Sequence, residues 1–103
     1  MSKDVGKFVR IQAPVSVRGK REVEWHTIPL GDRVSVWEMV LADAVADEVE
    51  PGFSNKRYIF HIGYLERVSR GCLVTYMGSQ FTVLSVSEST RLRGLEMRCA
   101  PLA

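Results

Sequence analysis

The sequence lacks the spaced motifs and long apolar runs by which many enzymes and membrane proteins are recognised. Among its 103 residues are two cysteines and two histidines. No apolar run approaches the ~20 residues that span a bilayer. The opening stretch, MSKDVGKFVR, has no apolar segment of the secretory kind. No membrane association is therefore expected, and synthesis in a reducing cytosol is the default. Cys72 and Cys99 form no CxxC pair and no Cys/His cluster, so they read as small core thiols. His26 and His61 sit on predicted strands without an acid or cysteine at ligand spacing, as ordinary strand histidines do. GxGxxG, P-loop, HExxH, GxSxG and paired-carboxylate spacings are all missing. No catalytic, cofactor-binding or metal-ligating residue is assigned, no cofactor is expected, and the chain reads as a non-enzyme.

Helical periodicity and internal repeats are scarce as well, while the composition is that of a folded chain. Hydrophobic residues make up 46% and charged residues 25%, which excludes disorder, and the length fits one domain over residues 1–103. The net charge of +2 is too small to imply nucleic-acid binding alone. Its distribution says more. Residues 38–50 carry Glu38, Asp43, Asp47, Glu48 and Glu50 with no basic residue, between two mildly basic blocks.

What the sequence has in abundance is alternation of period two, the mark of half-buried strands. Val9, Ile11 and Ala13 alternate with Phe8, Arg10 and Gln12, and Val23 to Ile28 alternates again after a turn at Arg18-Gly19-Lys20. Val34 to Leu41 is rich in β-branched and aromatic residues and reads as a strand. The alanines and acids between Met39 and Val49 could also support a short helix. A mobile acidic loop is expected over about residues 42–56. Tyr58, Phe60, Ile62 and Tyr64 then fall on one face of an extended segment. Trp25 and Trp37 are expected in the core.

Leu73–Met77 and Gln80–Val86 form a hairpin. A turn at Gly78-Ser79 of type II′ would use glycine at the first central position, where φ is positive. That turn sets Met77 against Gln80, Tyr76 against Phe81, Val74 against Val83 and Leu73 against Leu84. Leu73 and Leu84 then lie on the opposite face, so the hairpin is apolar on both sides and needs covering on both. After a polar loop at residues 87–94, Leu95, Met97 and Cys99 alternate in a last strand. The fold class that results is all-β, a small antiparallel β-barrel of about six strands with a long exposed loop.

The stretches Arg57 to Tyr64 (RYIFHIGY), Gly71 to Val86 (GCLVTYMGSQFTVLSV) and Arg93 to Cys99 (RGLEMRC) resemble the phage head–tail joining, or head-closure, family. That family has an F-x-I-R-Y strand, a V-x-Y-x-G-x-x-Y/F-x-I/V hairpin and a closing L-x-L-x-C strand. Phe8 to Gln12 is similar to its opening strand, and Val36-Trp37 to its V-W-A segment. Gly63 stands where the family usually has Arg, and Glu38 where it usually has Ala.

The resemblance implies a structural protein of the virion neck, synthesised in the bacterial host cytoplasm and residing at the head–tail junction. Its partners would be the portal and adaptor ring, the tail tube or tail-terminator proteins, and copies of itself in a homo-oligomeric ring. Packaged DNA would be channel content only. The expected partner interface comprises Asp43, Asp47, Glu48, Glu50 and Phe53 of the acidic loop, Leu73 and Leu84 of the hairpin, and Arg91 and Arg93. A tail-completion or tail-terminator protein of the same joint is the neighbouring alternative. A small-barrel nucleic-acid-binding module is the alternative from another class, with Tyr58, Phe60 and Tyr64 as stacking candidates.

Overall fold

The computed structural model describes residues 7–19, 21–45, 55–89 and 93–102. The alternation resolves into seven antiparallel strands, with no helix among the described residues: β1 (Phe8–Ser16), β2 (Val23–Thr27), β3 (Val34–Asp43), β4 (Lys56–Gly63), β5 (Leu73–Tyr76), β6 (Ser79–Ser89) and β7 (Gly94–Pro101). They form one sheet in the order β2-β1-β3-β4-β7-β6-β5, and β5 returns to pair with β1. Six strands thus make a near-closed ring, short of a formal barrel. Its weakest seam is β1–β3, which has two register pairs, Phe8↔Ser35 and Val9↔Val34.

The inward positions supply the core. Val9, Ile11, Phe60, Ile62, Val74, Val83, Met97 and Cys99 are each 0–1% exposed. Three aromatic contacts tie β4 to the β5–β6 hairpin: Tyr58–Phe81 at 4.7 Å, Phe60–Tyr76 at 5.1 Å and Phe60–Phe81 at 5.6 Å between ring centroids. Tilted and edge-on pairs of this kind add about 0.5–1.5 kcal/mol each beyond the area they bury.

Two β-bulges decide which residues reach that core. One lies between Val36 and Glu38, the other between Val83 and Ser85. In unbroken alternation Glu38 would share the inner face of Val36, and Ser85 that of Val83. The extra residue in each strand reverses this. Val36 opposes Ile62 and Met39 opposes Phe60, while Glu38 turns outward opposite His61. On β6, Val83 opposes Cys99 and Val86 opposes Met97, while Ser85 turns outward opposite Arg98.

The hairpin turn differs from its sequence expectation. Met77 and Gly78 occupy it, both with positive φ (50° and 80°), and Tyr76 pairs with Ser79. Val74 therefore opposes Phe81, and Leu73 opposes Thr82. Because the turn moved by one residue along both strands, partners changed but faces did not: Val74, Tyr76, Phe81 and Val83 stay on one side. A type I′ turn matches the twist of the strands, and this register sets Val74 between Ile11 and Phe81. That packing outweighs the roughly 1–2 kcal/mol that a left-handed methionine costs. Two smaller corrections concern extent. β3 continues to Asp43 as a strand, and Ser87 to Ser89 belong to β6 rather than to a loop.

Asparagine tolerates the left-handed region far better than methionine, so Met77→Asn should raise stability by about 0.5–1 kcal/mol in urea unfolding. Gly94 is the opposite case. A methyl group there would overlap the Ile62 carbonyl and meet the Trp37 ring at 3.0 Å, so Gly94→Ala should lower stability by about 2 kcal/mol or more in the same measurement.

Candidate functional site

The topology sorts the polar connections to two ends of the ring. One end gathers the 29–33 segment, the 64–71 segment and the connection from Ser89 to Gly94, since β3 begins, β4 ends and β7 begins there. The other end holds the base of the acidic segment, where Ala44 N–H donates to the Asn55 carbonyl at 2.6 Å.

At the first end the chain exposes large apolar side chains. Gly31 N–H donates to the Ile28 carbonyl at 2.8 Å, closing a turn with Pro29 and Leu30 in its centre. Leu30 has φ 65° and is 83% exposed. Proline first and a positive φ second define a type II turn, whose second central position favours glycine or asparagine. Leucine there accepts backbone strain and gains almost no burial in return. Tyr64 and Trp37 are 60% and 50% exposed nearby. The bulge re-aims Trp37, laying its indole beside the paired glycines Gly63 and Gly94.

Two open grooves meet at this patch. One, of about 290 Å³, is lined by Pro29, Leu30, Tyr64, Leu65, Glu66 and Arg67. Its neighbour, of about 250 Å³, shares Leu30, Tyr64 and Leu65 and adds Arg33 and Trp37. Arg33 is held over the Phe8 ring at 4.1 Å, and Arg67, like Leu30, has a positive φ. By sequence the three connections carry five arginines (Arg33, Arg67, Arg70, Arg91, Arg93) against Asp32 and Glu66, with Glu88 beside them near the end of β6.

The fold corrects several expected positions. Trp37 and Trp25 lie at the surface, Trp25 at 42% exposure on a strand whose five residues are all exposed. His61 has an acidic partner that sequence spacing could not show: its Nε2 lies 2.9 Å from Glu96 Oε1, across the β4–β7 register. His26 lies 3.0 Å from Glu24 on exposed β2. Tyr58 and Phe60 face the interior, which withdraws them from any stacking surface.

Of the expected interface residues, Leu73 and Leu84 are 7% and 8% exposed, covered within the single chain. Arg93 is exposed at the arginine end. Asp43 sits at the other end, where Lys56 Nζ donates to its carboxylate at 2.7 Å. Asp47, Glu48, Glu50, Phe53 and Arg91 lie outside the described residues. Leu30 was not anticipated, although a leucine between proline and glycine in a turn was the available signal. Arg57 is fully buried and donates to the Lys56 carbonyl at 3.0 Å; nothing in the sequence marks that burial.

The hydrogen bond from Lys56, and then its charge, hold the Asp43 carboxyl below its ordinary value, and Asp43 raises Lys56 in turn. This pair stabilises above the ordinary carboxylate range and below the ordinary lysine range. It is lost as pH falls through the lowered Asp43 value or rises through the raised Lys56 value. Both groups are exposed, so salt screens the interaction. Among the described residues, no three His, Cys, Asp or Glu side chains gather as a metal site.

No protein-family model, no curated protein and no solved structure matches this chain.

Cys72 and Cys99 are both free and buried. Burial, followed by the proximity of Cys72, pushes the Cys99 thiol up to about 12. The thiolate is the reactive form, so iodoacetamide should leave Cys99 unlabelled in the native protein at neutral pH. Labelling should appear only once urea unfolds the ring, as read by intact mass; native labelling would contradict this burial.

Proposed function

We propose that this chain is a non-enzymatic structural protein of a tailed-phage neck. In this reading it closes the DNA-filled head as a ring beneath the portal and its adaptor, retains the genome and offers the tail its attachment surface. The observation that carries the reading is the ordered run of strand motifs, from Phe8–Gln12 to Leu95–Cys99, on a near-closed six-strand ring with long connections at its two ends. A near-closed ring of strands with contact surfaces on its connections suits an assembly part.

Two further features support it. The exposed Leu30, Trp37 and Tyr64 are an apolar cluster of the kind that marks protein contacts. The acidic segment has like charge to DNA, so a neck protein carrying it would not hold the genome by adhesion. The virion would be its place of residence, and the bacterial cytoplasm its place of assembly.

Mixing the purified protein with portal–adaptor rings and, separately, with tail tubes tests the role. Electron microscopy should show added density capping the portal–adaptor rings. Binding to tail tubes alone would transfer the protein to the tail-completion side of the joint, and binding to neither would overturn the neck reading.

A further inference from the structure

We infer that the arginine end of the ring is a docking surface for the acidic segment of a second copy of this chain. Leu30 would be its apolar anchor. The inference rests on the ring reading given above for its biological setting and adds the surface through which neighbouring copies meet.

Three observations carry it. First, Leu30 is strained and 83% exposed. Backbone strain persists where surrounding structure over-determines it, and it clusters at functional positions. An apolar side chain that gains nothing inside its own fold gains by entering a partner. Second, Leu30, Trp37 and Tyr64 surround two connected grooves edged by Arg33 and Arg67. Tryptophan, tyrosine and arginine are the residues that dominate the energetics of protein contacts.

Third, the matching surface belongs to the same molecule. Residues 43–50 (DAVADEVE) hold four acids, no base, and Val45 and Val49 among them. Val45 is 52% exposed, as is Leu41 at 56% just before it. This segment begins where β4 begins, whereas the arginine end lies where β4 stops. At about 3.3 Å per residue, the eight residues of β4 separate the two ends by roughly 23 Å. That is more than twice the ~8–10 Å screening length in physiological salt. The segment's anchor at Asp43, opposite Lys56, is therefore beyond screening reach of the arginine end of its own chain, while the charges of the segment and of that end on a neighbouring copy are complementary. Such a head-to-tail contact is heterologous, and it closes into a ring when the rotation between copies allows.

A charge-swap experiment on the full chain decides the matter. Arg67→Glu/Arg93→Glu alters exposed arginines at one end, and Asp47→Lys/Glu48→Lys alters the acidic segment while sparing the Asp43–Lys56 pair. Sedimentation velocity at high protein concentration and low salt should show the wild type associating. Each double variant alone should associate at least about tenfold more weakly. Mixing the two variants should restore association, because each then meets a partner of opposite charge. Leu30→Gly should weaken association while raising the unfolding midpoint, since glycine relieves the strained turn; a merely structural Leu30 would move stability the other way.

A wild type that stays monomeric, a mixture that does not associate, or a Leu30→Gly variant that associates normally would each overturn the proposal. Salt-sensitive DNA retardation lost in the arginine variant, without self-association, would reassign the surface to nucleic acid. Failure here is separable from failure of the neck reading. Capping of portal rings without dependence on these residues discards this contact alone, and charge-dependent self-association without portal binding keeps it.

Discussion

The amide of Ile11 donates to Gly31 and its carbonyl accepts from Ile28, so one edge of β1 is held by the segment that joins β2 to β3. On the other edge Ile11 lies opposite Val74 of β5, and its side chain is fully buried. β1 is thus shared by three strands, and the ring closes through it. β2 and β3 follow one another along one edge with the Pro29-Leu30 turn displaced between them. The displaced turn is the price of letting one strand serve as both seam and ribbon, and it is the turn that projects Leu30.

The same constraint explains how the ends differ. Strands that pair around a ring deliver their connections to two rims; by sequence, the connections of one rim are rich in arginine and the segment leaving the other is acidic. The arginines lie in sequence stretches far apart, at positions 33, 67, 70, 91 and 93, and only strand order brings those stretches to one end. The acids are local, within a single segment. A sequence shows the second kind of cluster at once and hides the first.

Much of the fold was legible because period-two alternation is a local signal. β1, β2, β4 and β7 lie close to where Val9–Ala13, Val23–Ile28, Tyr58–Tyr64 and Leu95–Cys99 alternate, and the inner face of β4 was read correctly at Tyr58, Phe60 and Ile62. The faces of the β5–β6 hairpin were right although its turn was displaced. Misreadings arose where a non-local contact overrode a local preference. The bulge at Trp37 turned a large aromatic outward onto two glycines, and packing of Phe81 against Tyr58 and Phe60 chose Met77-Gly78 over the turn that glycine statistics favour. The His61–Glu96 pair depends on strand register and has no signature in spacing.

The pairing of β1 with β5 also has a temporal side. It joins residues 9–12 to residues 73–76, so it forms only after most of the chain is available, and contacts between such distant segments are slow to form. A chain emerging from the ribosome can zip β1 onto β2 early, because those strands are neighbours in sequence. The far edge of β1 must then wait, open and apolar, for β5 to be synthesised and for β6 and β7 to bring it round. During that interval the nascent protein exposes an unpaired strand edge of the kind that captures other chains. How quickly the ring shuts therefore sets how long that edge stays open to other chains, a matter separate from how firmly the ring holds once shut.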